Sequence, residues 1–166
     1  MPTEGVGGLV VRFYEALHND HDLTMFDTAV DPNVVCRWSG LPELHGSGEL
    51  RAAVAADLEG FPDQAIVLEQ IIVDGDDVAS RWTYRGTHTG DYYGTPPTGR
   101  AVVTTFVAFD RIVDSKLVEN WTVFDNYDLM RQLGILPDTE GAVRWPQTLP
   151  PGRPVGRRSE TPRDST

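Results

Sequence analysis

Hydrophobic and polar positions in the first third of the chain recur with helical spacing. In "VGGLVVRFYEALHNDHDL", Leu9, Phe13, Ala16 and Leu17 fall on one side, at the i, i+4, i+7, i+8 intervals of an amphipathic helix. A shorter helix is predicted over residues 23–30, stopping near "DPN" because Pro32 disfavours helical geometry at Asp31. "NVVCRW" reads as a strand. "GSGELRAAVAADLEGFPD" predicts a third helix, with Ser47 as its N-cap and "GFPD" as its stop.

The period then changes to two. "AIVLEQIIVD", "VASRWTYRGTH", "RAVVTTFVAFDRI" and "KLVENWTVFD" are long β-branched runs divided by the acidic turn "GDD" and the loop "TGDYYGTPPTG". A last helix follows at "NYDLMRQLG". Short connections suit antiparallel neighbours, so the plan is α+β: a curved, mostly antiparallel sheet packed against about three helices. A sheet that curls around helices leaves a space at its open end, where a pocket can form.

Alternation also assigns faces. Val78, Trp82, Tyr84 and His88 share one side of their strand, and Arg81, Arg85 and Thr87 share the other. The aromatic side is the expected interior. In "KLVENWTVFD", Leu117, Glu119, Trp121, Val123 and Asp125 share a face, which carries Asp125 onto an apolar surface. A carboxylate there is costly when charged and unpaired. Two readings follow from spacing alone: Asp125 caps the last helix, the commoner role for Asp at such a position, or it is a titratable group at a cavity. His88, in "GTHTG", is in the same way either a turn histidine bonded to backbone or a pocket group. Tyr14 and Trp38 are candidates for pocket lining only. The pair His18 and His21 at a helix end is a weak metal motif, and "GVGG" lacks the preceding strand that dinucleotide binding requires.

Composition narrows the partners. With 25 acidic and 14 basic residues the formal net charge is -11, a field that repels phosphate backbones and anionic membranes. Nucleic acid and membrane are therefore not expected partners. Cys36 is the single cysteine, which excludes an internal disulfide framework and a cysteine-rich metal site. No apolar run has transmembrane length and no signal segment opens the chain, so the cytoplasm is the expected location. The expected division is a body at residues 1–136 and a Pro/Arg-rich tail at 137–166. The tail holds six of the twelve prolines, and only Val143 and Trp145 could dock it on the body.

Three pieces together resemble one known family: "FPD" after the third helix, "GTHTGDYYGTPPTGR", and "VENWTVFDNYDLMRQLGILP". The span from about residue 44 to 137 looks like the SnoaL-like polyketide cyclases of the nuclear-transport-factor-2-like superfamily. That resemblance implies a cone-shaped α+β barrel with a roofed hydrophobic pocket, and ring closure of a polyketide-like intermediate by an intramolecular aldol reaction. It implies general acid/base catalysis with no cofactor and no metal, in a homodimer or homotetramer. By the Trp-x-x-x-Asp motif it places the acid/base on Asp125, and by Gly-Thr-His it places His88 in the pocket lining; Tyr14, Trp38, Trp82, Tyr84 and Trp121 are the candidates, from their place in the pattern, to surround the substrate. Burial would raise the aspartate's pKa and make it a stronger base. The alternatives are epoxide opening, dehydration or isomerisation in the same barrel, or a pocket that only binds. Epoxide hydrolysis would want an Asp-Arg-Asp set, and Arg81 and Arg85 face away from the expected interior.

Overall fold

The computed structural model describes residues 5–137. In chain order these form α1 (Gly5–His18), α2 (Met25–Ala29), β1 (Val30–Trp38), β2 (Leu44–His45), α3 (Gly46–Gly60), β3 (Ala65–Asp74), β4 (Asp77–Thr87), β5 (Ala101–Val113), β6 (Lys116–Phe124) and α4 (Asn126–Gln132). The α+β plan is the expected one. The tail, with Val143 and Trp145, lies outside the described residues apart from Pro137.

The strands make one sheet in the order β2-β1-β6-β5-β4-β3. Strands β3 to β6 form an antiparallel meander, and β1 adds to β6 in parallel, with Cys36 opposite Asn120 and Trp38 opposite Thr122. The sheet curls without closing, since β2 and β3 remain its edges. Helix α1 packs on β3 and β4, and α3 on β1. Between them lies a core that includes Val10, Phe13, Leu17, Val34, Val54, Trp82, Phe106 and Leu133.

Several boundaries differ from the pattern. Strand β1 begins at Val30 and runs through Pro32, which a strand tolerates because the missing N–H matters only where a neighbour needs it. Helix α2 is correspondingly short. Ser47 does not cap α3: the helix starts at Gly46, and Glu49 Oε2 instead accepts from the His45 backbone N–H at 2.7 Å. The two-residue β2 had no periodic signal.

Strand faces decide the site. In β4 the buried residues are Val78, Ser80, Trp82, Tyr84 and Gly86, and in β5 they are Val102, Thr104, Phe106, Ala108, Asp110 and Ile112, as alternation requires. Strand β6 breaks the rule. Arg111 pairs with Glu119 but Ile112 pairs with Leu117, so one extra residue, Val118, is accommodated in a bulge. Past it the parity inverts: Leu117 is buried, then Asn120 and Thr122. Glu119, Trp121, Val123 and Asp125 turn outward. A one-residue slip moves every later side chain to the opposite face.

Candidate active site

Helices α1 and α3 and strands β1, β5 and β6 surround a narrow apolar cavity of about 30 Å³, lined among others by Phe13, Leu17, Leu50, Val54, Phe106 and Leu117. It adjoins a wider vestibule of about 300 Å³, bounded by residues 38–41, Tyr92, Tyr93, Thr95, Asn126 and Met130. A smaller niche lies toward Phe61, Tyr84 and Leu129. Asp57 and Phe124 border all three spaces. The loop after β4 is fastened over α3 by Thr89 and Gly90, whose backbone N–H groups both donate to Gly60 O.

Polar groups enter this apolar lining at defined points. Asn120 is the most connected. Its Nδ2 donates to Asp110 Oδ1 at 2.7 Å and to the Tyr14 hydroxyl at 3.1 Å, while its Oδ1 accepts from Trp38 Nε1 at 2.7 Å and Thr122 Oγ1 at 3.1 Å. Tyr14 donates in turn to Asp110 Oδ1 at 3.3 Å. Burial pushes the Asp110 carboxyl up to about 7, opposed by hydrogen bonds from Asn120 and Tyr14. On α1, His18 also lines the cavity, and Gln64 holds its Nδ1 at 2.9 Å. The Gln64 carbonyl accepts from the Tyr84 hydroxyl at 3.1 Å, so the amide presents N–H to the ring, and Nδ1 is the acceptor. Burial, with His21 nearby, lowers His18 to about 4. The ring is neutral near pH 7.

Among the described residues, Asp57 is the one carboxylate that lines the cavity, the vestibule and the niche. Burial pushes it up to about 7, with a hydrogen bond from Tyr93 acting against that rise. Its charge also raises Tyr84, Tyr92 and Tyr93, although burial is the larger cause for each. A carboxyl poised near neutrality inside an apolar wall can take and return a proton.

The residues expected at the site divide into three groups. Tyr14 and Trp38 line the cavity and Tyr84 borders the niche. Trp82 stands one layer behind, stacked on Tyr14 at 5.2 Å and donating to Ser80 Oγ at 2.8 Å. His88 is fully buried but stacks on Phe61 at 5.1 Å, and its Nδ1 accepts from the backbone N–H of Thr98 at 3.3 Å. None of the cavity, vestibule or niche is lined by it.

Two expectations are corrected. Trp121 is 57% exposed on the outer face of the sheet, and Asp125 is exposed at the start of α4. The β6 bulge explains both. Asp125 Oδ1 accepts from the Asp128 backbone N–H at 3.0 Å, the geometry of an N-cap. His88 and Asp125 therefore have separate surroundings and do not converge. Arg81 and Arg85 are exposed, so neither supplies an arginine to the cavity.

The residues that pattern reading missed carried a signal. Leu50, Val54 and Asp57 stand at i, i+4 and i+7, which puts an acid in the apolar stripe of α3. Asp110 falls in phase with Val102, Phe106 and Ala108 on the inner face of β5. Asn120 had no such mark, because the bulge placed it inside.

Known proteins match both chain and fold. The SnoaL-like polyketide cyclase family model matches residues 8–133. The chain is similar to the aklanonic acid methyl ester cyclase DauD of Streptomyces sp. (strain C5), at 34% identity over 73% of this chain and 75% of that protein. Its fold is similar to the crystal structure of AclR from Streptomyces galilaeus, proposed to be a hydroxylase, at 31% identity and TM-score 0.72, over 82% of this chain and 85% of AclR. It is also similar to IdmH from Streptomyces antibioticus, proposed to be a polyketide cyclase, at 29% identity and TM-score 0.69, over 79% and 99%. The chain belongs to the SnoaL-like polyketide cyclase family.

Proposed function

We propose that the protein closes a ring in a polyketide-like ester by an intramolecular aldol reaction, with Asp57 as proton acceptor. The observation that carries this reading is the position of Asp57, a carboxyl held up at about 7 at the junction of cavity, vestibule and niche. Ionised Asp57 takes a proton from a carbon flanked by carbonyl groups. The resulting carbanion attacks a ketone carbon of the same molecule, one C–C bond forms, and the alkoxide oxygen is then protonated. Enclosure holds the two carbons together, and positioning of that kind supplies several kcal/mol in an intramolecular step, about 7 or more at best. Apolar walls from Phe13, Phe106 and Phe124 exclude water, and the wider vestibule next to them offers the room for a ring-bearing substrate. Asp125 holds the start of α4 in this reading, and His88 supports Phe61 and the loop after β4.

The test uses aklanonic acid methyl ester, the compound in the name of the Streptomyces relative. Asp57→Asn should lower turnover by about 10²- to 10⁴-fold, the range of a general base. Asp125→Ala should cost about 1 kcal/mol of stability and leave turnover within a few-fold. The reverse pattern would return the acid/base role to Asp125 and end the claim for Asp57. A second reading, another reaction in the same cavity, is favoured by the likeness to AclR. Mass spectrometry of the product separates them, since ring closure by aldol addition leaves the mass unchanged and hydroxylation adds an oxygen.

A further inference from the structure

The two histidines at the end of α1 have different surroundings. His21 Nε2 lies 3.2 Å from the backbone carbonyl oxygen of Gln64, while the His18 ring is buried beside Tyr14 and Phe106, 6.1 Å from each between ring centroids. We infer that His18, through its Nε2–H, is the hydrogen-bond donor that holds a carbonyl oxygen of the substrate in the narrow cavity. This inference deepens the aldol reading and rests on it for the identity of that oxygen, which belongs to a carbonyl flanking the carbon that Asp57 deprotonates.

Accounting for the ring's two nitrogens carries it. A neutral imidazole has one hydrogen, on one nitrogen, and a lone pair on the other. The Gln64 amide donates to Nδ1 at 2.9 Å, because its own oxygen accepts from the Tyr84 hydroxyl at 3.1 Å. The hydrogen of the ring is therefore on Nε2. Among the described residues, Nε2 has no hydrogen-bond partner. The unbonded side-chain atoms that are shut off from any space are His88 Nε2, Thr104 Oγ1 and Asp110 Oδ2. His18 Nε2 is not one of these, so it opens on the space that its side chain lines, the narrow cavity. The residue as a whole is only 7% exposed. A buried donor left unpaired costs about 1–3 kcal/mol, and a residue kept for packing alone would carry no such cost.

Size and charge select the occupant. A space of about 30 Å³ has room for about two water-sized groups. The tip of a carbonyl group fits there, and the ring that bears it stays in the vestibule of about 300 Å³. An N–H donor calls for an acceptor, and an apolar wall penalises a charged one. Asp57 lines the same cavity, so its charge would repel a carboxylate. An uncharged carbonyl oxygen meets all of these conditions. The ring is suited to this use because burial, with His21 nearby, keeps it neutral near pH 7, and the Gln64 bond fixes the orientation of the amide and ring. As Asp57 removes the proton from the neighbouring carbon, negative charge grows on the carbonyl oxygen and the hydrogen bond from Nε2 strengthens. His18 keeps its hydrogen throughout, and no covalent bond to it forms or breaks.

The experiment compares two naphthalenes of one shape as ligands of the full chain. 2-Acetylnaphthalene carries a carbonyl oxygen, and 2-isopropenylnaphthalene has a methylene group in its place. The parent should bind the ketone about tenfold more tightly, the size of one neutral hydrogen bond. His18→Phe, which keeps a flat ring beside Tyr14 and Phe106, should bind the two alike. Nitrogen-15 spectra of the parent's imidazoles test the same point without a variant, should His18→Phe fail to fold. The His18 ring should carry its hydrogen on Nε2, and that signal should move with the ketone and stay still with the alkene. A hydrogen on Nδ1, an Nε2 signal that ignores the ketone, or a ketone preference that survives His18→Phe overturns the inference. Neither measurement involves turnover. Failure here leaves the loss of turnover in Asp57→Asn standing, and failure of Asp57 in turnover leaves the ketone preference intact.

Discussion

Asn120 and Asp110 face each other across the β5–β6 ladder, and the Asn120 amide donates to the Asp110 carboxyl at 2.7 Å. The pair ties two neighbouring strands through a buried polar contact directly behind the cavity. Its cost depends on the proton that Asp110 carries.

Stability should therefore respond to pH through Asp110. Its folded value, about 7, stands above the ordinary 3.8, so the protonated form is favoured by the fold. That contribution is fully present below about pH 4 and is lost as pH rises through about 7, up to about 4 kcal/mol in all. Asp57, also raised, and His18, lowered, are common to parent and variant and cancel in the difference. Urea midpoints at about pH 5 and pH 8 are the measurement. The parent should lose stability relative to Asp110→Asn between the two pH values. A constant difference between parent and variant would contradict the raised value.

Gly90 should not tolerate a side chain. A Cβ built there would lie 1.9 Å from Glu59 O and 2.8 Å from its carbonyl carbon, which are backbone atoms of α3. Gly90→Ala must lift the loop from α3 and break the bonds of Thr89 and Gly90 to Gly60 O. We expect a loss of about 2–4 kcal/mol, in the range of mutations that force backbone to move. Tyr92 and Tyr93 border the vestibule from the same loop, so turnover of aklanonic acid methyl ester should fall as well. Thermal melts and that assay would check both, and parent-like values would show that the loop can shift freely.

The outer sheet face should bury itself against a second copy of the chain. Phe109 and Trp121 are register partners, each 57% exposed, with Val103 and Val123 on the same face at 60% and 48%. An apolar patch of this kind on a sheet suits a twofold interface. Sedimentation should give a species heavier than the 18.4 kDa chain at micromolar concentration. Trp121→Lys with Phe109→Glu should shift it toward the monomer without loss of the fold. A parent that sediments as a monomer ends the proposal.

Much of this architecture was legible from periodicity. The amphipathic stripe of α1 and the alternation in β4 and β5 follow from side-chain spacing alone, because each element keeps one register throughout. Strand β6 does not. Its bulge is set by pairing with β5, and nothing in "KLVENWTVFD" marks Val118 as the extra residue. A single slip there exchanged Trp121 and Asp125 for Asn120 and Thr122 at the interior. Asp57 was hidden differently: an acid in an otherwise apolar helical stripe reads as a lapse in amphipathicity until the opposing wall is known.

The parallel pairing of β1 with β6 also bears on how the cavity comes into being. Strands β3 to β6 are a meander of hairpins and can zip between near neighbours in sequence. The Trp38–Asn120 bond spans 82 residues, and it joins the cavity's front edge to its polar hub. Contacts that close so long a loop carry the largest entropic cost and lag behind local ones. A nascent chain that has not yet released β6 lacks Leu117, Asn120, Thr122 and Phe124, the side of the cavity that this strand supplies. The cavity is thus walled on every side only once β6 has paired with β1.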